Sequence, residues 1–231
     1  MDEREETSMF MVAATLAMAG LQAAAPGVDQ QNAPRLATAA QLLRDHQPQQ
    51  ALEVATTALA AYDADHAGEK RRLYCGMSGP ETLLYLSMAA RDKVEAVAVA
   101  PGYCEALFLK GYALIDLGKP AEARAAYEQL VRLAPMHAHF LTELGQLSRV
   151  EKDWPHMLST CETARGAAGL AAPADKVREE GAALRCQGYA LVEEHKLDEA
   201  EARYREALRI DPGDQKAAGE LRYIAQQKGK H

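Results

Sequence analysis

Two helices joined by a tight turn can be read from Tyr103–His137, YCEALFLKGYALIDLGKPAEARAAYEQLVRLAPMH, and this stretch limits the possible folds most strongly. Apolar residues fall at Leu107, Leu109, Leu114 and Leu117 in its first half, and at Ala123, Ala126, Tyr127, Leu130 and Leu133 in its second. That spacing is helical rather than alternating, so each half has one face to bury. Gly118-Lys119-Pro120 breaks the chain between them; Pro120 suits the first turn of the second helix and Pro135 ends it. Gly111 sits mid-helix, where glycine costs about 1 kcal/mol relative to alanine. A close helix crossing offsets that cost, because a missing Cβ admits the partner backbone. Ala123 is the matching small residue on the second helix.

The arrangement returns along the chain. Leu184, Gly188, Leu191, Ala200, Tyr204, Ala207 and Pro212 reproduce it in the segment 181–212. Leu141, Leu144 and Gly145 repeat the first helix within 138–172, and Met157, Cys161 and Ala164 stand in the second, which Asp153 is placed to cap. A fainter copy spans 32–65, with helices either side of Gln47-Pro48. Residues 66–103 read as a degenerate copy. Its first helix is interrupted by the bend Cys75-Gly76-Met77-Ser78-Gly79-Pro80, and its second is expected from about Pro80 to Ala100. Residues 26–31 read as a polar linker and 166–173 as a small-residue loop. A last helix within 213–228, with Leu221 and Ile224 inward and polar residues outward, is expected to cap the stack.

This order of large residue, Leu-Gly, Ala, aromatic, Ala and Pro over about 34 residues resembles the tetratricopeptide repeat. The family's tryptophan is absent, and Leu114 stands where the pattern has tyrosine. The resemblance covers about 32–227 and implies an all-α, right-handed superhelical solenoid of helix hairpins with a C-terminal capping helix. It also implies a concave groove lined by the first helix of each repeat. The matching positions are Glu105, Phe108, Tyr112, Ile115 and Asp116; then His139, Thr142, Gln146, Arg149 and Val150; then Ala182, Arg185, Tyr189, Val192 and Glu193. Aromatic and arginine side chains there suit an interface, and the competing reading is that Phe108 and Tyr112 only pack on neighbouring helices. The family's carboxylate clamp has Lys and Asn where Phe108 and Tyr112 stand, so a chaperone C-terminal tail is not the expected partner.

Composition narrows the partner further. The formal charge is -7 and no basic stripe is present, which argues against nucleic acid or an anionic membrane surface. The N-terminal 25 residues hold the apolar run Met9–Leu21 followed by Gln22-Ala23-Ala24-Ala25, which fits a signal peptide; cleavage would leave no membrane-spanning segment. Asp2, Glu3, Glu5 and Glu6 oppose Arg4 where positive charge is usual, and the alternative is a capping helix that buries the run. A periplasmic or secreted location follows from the first reading, a cytoplasmic one from the second.

Four cysteines, Cys75, Cys104, Cys161 and Cys186, allow three disulfide connectivities in an exported chain. Sequence neighbours are the expected partners, Cys75 with Cys104 and Cys161 with Cys186; the alternative is four buried thiols. No CxxC pair and no phosphate-cradling glycine motif occurs. His137 and His139 are two apart and point in different helical directions, so shared metal ligation is not expected. No cofactor is called for. The expected function is a non-enzymatic adaptor or scaffold that holds a peptide or protein partner in the groove. The competing reading is a thiol-dependent enzyme or small-ligand binder built on 75–80, where repeat geometry breaks.

Overall fold

Prolines set where several helices begin. In a computed structural model describing residues 27–229, Pro48, Pro101 and Pro120 each open a helix, and Pro80 and Pro155 each take the second position. A first-turn proline sacrifices no intrahelical hydrogen bond and brings its φ preset. The helices are α1 (Val28–Arg44), α2 (Pro48–Asp65), α3 (Gly79–Arg91), α4 (Pro101–Asp116), α5 (Pro120–Leu133), α6 (Ala138–Glu151), α7 (Trp154–Ala167), α8 (Lys176–Glu193), α9 (Leu197–Ile210) and α10 (Gln215–Lys228). Side-chain caps form at Ser78, Asp153 and Asp214, whose oxygens accept from Glu81 N, His156 N, and Lys216 N with Ala217 N. Each such cap is worth about 1 kcal/mol.

The pairs α1–α2, α4–α5, α6–α7 and α8–α9 are helix hairpins, and each leans on its successor; α10 packs on α9 and α8 and closes the stack. α1 touches α4, and α6 touches α8, so first helices lie side by side along one face. The chain is thus a helical solenoid.

Three glycines carry the crossings within the hairpins. A Cβ on Gly111 would run into the Tyr127 ring, one on Gly145 would stand 2.6 Å from Cys161 Sγ, and one on Gly188 would stand 2.7 Å from Tyr204 Cε2. Tyr127, Cys161 and Tyr204 are themselves buried, at 0%, 0% and 1% exposure. The equivalent position is a phenol ring in two hairpins and a sulfur in the third. Gly118, at φ +69°, takes the left-handed turn between α4 and α5 at no steric cost, whereas His46, Lys152 and His195 hold the equivalent turn in the other hairpins.

The segment 66–103 departs from expectation. It does not form a second helix reaching Ala100: α3 stops at Arg91, Lys93 turns at φ +56°, and a strand follows. Strand β1 (Arg72–Tyr74) pairs in parallel with β2 (Ala96–Ala98), with Arg72 opposite Ala96 and Tyr74 opposite Ala98. The strand–helix–strand unit is thus an insert between hairpins. Val94, Val97 and Val99 favour the extended chain there. Cys75 N donates to Leu133 O at 2.9 Å, Met136 N donates to the Tyr85 hydroxyl at 3.3 Å, and the Tyr74 and Tyr85 rings stack at 5.5 Å, so the insert is packed against α5.

Smaller corrections follow from the same geometry. Val28–Gln31, expected in a linker, is the first turn of α1. Gly166–Leu170, expected in a loop, completes α7 and a short 3-10 turn, Ala168–Leu170. The apolar run Met9–Leu21 lies outside the described residues. No described helix is long and apolar enough to cross a membrane.

Cys75 and Cys104 stand at disulfide distance, Cα to Cα 6.2 Å, and so do Cys161 and Cys186 at 6.0 Å. The first pair staples the insert to α4. The second staples α7 to α8 beneath Gly145, whose added Cβ would also meet Cys186 Sγ at 3.6 Å. Such pairs suit an oxidising compartment.

Candidate partner-binding groove

Side chains that leave first helices on their shared face cannot be covered by the hairpin partner, so they meet across the groove. Between α6, α8 and α10 they enclose an open cavity of about 490 Å3. Gln146 and Arg149 come from α6, Arg185 and Tyr189 from α8, and Lys216 and Glu220 from α10. Five sequence-predicted positions, Gln146, Arg149, Ala182, Arg185 and Tyr189, are therefore brought together. Cys186 and Met157 contribute to the wall and Tyr204 to its apolar base.

Each cation is held differently. Arg149 places Cζ 4.1 Å from the centroid of the Tyr189 ring, a cation–π contact, and Trp154 meets that ring edge-on at 6.0 Å. Arg185 pairs with Asp214, the same buried carboxylate that caps α10. Its charge is thus spent inside the protein. Arg149 and Lys216 form no ion pair among the described residues and are exposed. The Tyr204 hydroxyl is held well above its ordinary pKa, first by burial and then by Glu220 and Tyr189, with Arg149 and Arg185 opposing. It remains a neutral phenol.

A second cavity, about 280 Å3, continues past Tyr189 and Gly219, and Val192, Glu193, Glu220 and Tyr223 complete its lining. Glu193, the last residue of α8 and about two turns beyond Arg185, lines this second cavity without either arginine.

The remaining predicted positions lie elsewhere on the first helices. Phe108 is half-buried, its ring 6.0 Å from Tyr127, 5.1 Å from His139 and 5.7 Å from Phe140, so it bridges α4, α5 and α6. Tyr112 stands 6.3 Å from Phe108 and is 41% exposed. Packing therefore accounts for Phe108 but not for the outer face of Tyr112. Asp116 is exposed at the last turn of α4. Glu105 is half-buried near α1, where burial and then Asp29 raise its carboxyl.

His139 belongs to a different cluster. Its Nδ1 is 3.6 Å from Glu179, an ion-pair distance rather than a hydrogen bond. Burial works against the charged imidazole, but Glu179 and Glu143 outweigh it and hold His139 above its ordinary range. Burial likewise pushes Glu179 up, but His139 and Arg178 outweigh it and bring the carboxyl down to about 2. Beside it, His137 Nδ1 lies 2.8 Å from Glu81, a carboxylate only 2% exposed that also accepts from Met77 N at 2.9 Å. These groups line a cavity of about 250 Å3 between the insert, α6 and α8. His137 and His139 are thus each paired with a different carboxylate.

Cys75 cannot serve as a nucleophile as placed. It is 0% exposed and its sulfur faces Cys104, so the thiol-enzyme reading of 75–80 is not supported by this geometry.

Lys216, Gly219 and Glu220 were not anticipated, because α10 reads from its sequence as a cap with a polar outer face. The available signal was Gly219, a helix-interior glycine outside the repeat pattern.

Comparison with known proteins agrees with this architecture. The tetratricopeptide repeat family model matches residues 108–155. The chain is similar to MamA from Desulfovibrio magneticus RS-1, with 18% identity, 89% of each chain covered and a TM-score of 0.57. It is also similar to a putative kinesin light chain with TPR-like repeats from Podosopora anserina, with 13% identity, 90% of this chain and 91% of that chain covered and a TM-score of 0.59. The first TPR of RPAP3 bound to an HSP90 peptide matches 55% of this chain and 93% of that chain, with 25% identity and a TM-score of 0.48. No curated protein matches.

Proposed function

We propose that this chain, a tetratricopeptide-repeat protein, acts as a non-enzymatic adaptor that holds a peptide or protein partner against the groove formed by α6, α8 and α10. The observation that carries the reading is the 490 Å3 cavity in which Arg149 and Lys216 remain exposed without a carboxylate while Tyr189 and Tyr204 supply apolar wall. Arginine and tyrosine at the centre of a concave surface are the residue types that anchor partners. Cationic groups without a counter-charge are the parts that a partner would complete.

The location that fits is the cell envelope or exterior. Two cysteine pairs at disulfide distance favour an oxidising compartment, and the apolar run at Met9–Leu21 fits an export signal.

Alanine at Arg149, Tyr189 and Lys216 tests the groove. The triple variant, purified at wild-type helicity, is expected to lose the proteins that co-purify with the tagged chain in its native cells. Unchanged co-purification would remove the groove from the account.

A further inference from the structure

Gly219 differs from the three crossing glycines. A Cβ there would meet nothing within the protein closer than Arg222 Nη2, at 3.8 Å. The hollow over α10 is left open from within, beside Tyr189 and Glu220, and it joins the 490 Å3 and 280 Å3 cavities. The charges at its two ends are opposite. Arg149 and Lys216 stand at one end; Glu193 stands at the other, and Glu220 borders both cavities. None of these four forms an ion pair among the described residues. On α10 a cation, Lys216, is followed one turn later by an anion, Glu220, and Glu193 closes the groove side of α8.

We propose that the cleft between α8 and α10 binds an extended peptide of mixed charge, with an acidic side chain toward Arg149 and Lys216, an apolar side chain in the hollow over Gly219, and a basic side chain toward Glu193. This deepens the groove reading above and rests on it. Arg185 shares the first cavity with Lys216, and from its level to Glu193 α8 advances about 12 Å, which about four residues of extended chain span. Side chains of an extended chain alternate faces, so an acidic and a basic residue separated by three, the middle one apolar, present all three groups to the cleft. A uniformly acidic segment meets Glu193 and Glu220, and a uniformly basic one meets Arg149 and Lys216; like-charge contacts of this kind exclude wrong partners.

The test uses four fluorescent peptides in glycine-serine flanks, with cores Asp-Ser-Leu-Ser-Lys, Lys-Ser-Leu-Ser-Asp, Asp-Ser-Leu-Ser-Asp and Lys-Ser-Leu-Ser-Lys, read by anisotropy against the full chain. One mixed-charge core is expected to bind about tenfold tighter than both uniform cores. The quadruple exchange Arg149→Glu, Lys216→Glu, Glu193→Lys and Glu220→Lys is expected to reverse the preference between the two mixed cores. Gly219→Leu, checked for intact helicity, is expected to abolish the difference by filling the hollow. Equal affinities across the four cores, no measurable binding by any, or the tightest binding by a uniform core would overturn the proposal. A chain that keeps its cellular partners through the groove, yet shows no peptide preference, retains the adaptor reading and loses this one.

Discussion

The ring of Tyr204 lies over Gly188, where a Cβ would stand 2.7 Å from Cε2. The contact closes the α8–α9 hairpin, as Tyr127 over Gly111 closes α4–α5. Gly188→Ala gains up to about 1 kcal/mol of helix propensity but forces the buried ring aside, an overpacking cost of about 1–3 kcal/mol. The net expectation is a loss of about 1 kcal/mol, and of about 2 kcal/mol at most, in chemical denaturation. Gly219→Ala, at an open position in the α10 interior, is expected to gain up to about 1 kcal/mol instead. Opposite signs for two helix-interior glycines would separate a packing glycine from one left free; equal signs would contradict the crossing geometry.

Glycine spacing also explains how much was legible in advance. Gly111, Gly145 and Gly188 recur with their partners at a fixed distance, so the hairpins and the first-helix face can be read from local pattern alone. The insert could not be. Its strands hold three residues each, too few for period-two alternation to emerge, and their pairing joins Arg72 to Ala96 across a whole helix. The groove was half legible for a related reason. Repeat positions named Arg149, Arg185 and Tyr189, whereas Lys216 and Glu220 lie on α10, to which the repeat pattern assigns no groove position.

The Cys161–Cys186 pair closes 25 residues of sequence and crosses from α7 to α8. A cross-link over that distance is worth about 3 kcal/mol through the unfolded chain. Cys161→Ala with Cys186→Ala is expected to lower the free energy of unfolding by about that amount relative to the oxidised wild type. A double variant as stable as wild type in the absence of reductant, but not less, would show that the pair is not bonded in solution.

His139 and Glu179 predict a pH window. The folded His139 lies above its ordinary pKa, so its contribution is complete below about pH 6.5 and is lost as pH rises through the higher folded value. Glu179 is lowered to about 2, so its contribution is complete above the ordinary carboxylate range and is lost as pH falls toward 2. Stability is expected to fall on both sides of this range. His139→Gln should flatten the fall on the alkaline side, measured by urea unfolding between pH 5 and pH 9 at about unit intervals. An unchanged slope would place the titration elsewhere.

Glu81 ties the insert to α6. It is 2% exposed, accepts from Met77 N at 2.9 Å and meets His137 Nδ1 at 2.8 Å. Glu81→Ala leaves the Met77 amide without its acceptor and is expected to cost about 1–3 kcal/mol. Hydrogen exchange should show the loss concentrated at Met77 and the start of α3 rather than in α8–α10. Uniform loosening of the whole stack would mean that the insert is not a separate unit of local stability.

The groove itself is tested most directly by photo-cross-linking in living cells. A benzophenone side chain at Gln146, exposed in the cavity between α6 and α8, is compared with one at Glu162, exposed on α7 and outside that cavity. The account predicts a discrete cross-linked partner from Gln146 and none from Glu162. A partner captured from Glu162 with nothing at Gln146 would contradict it.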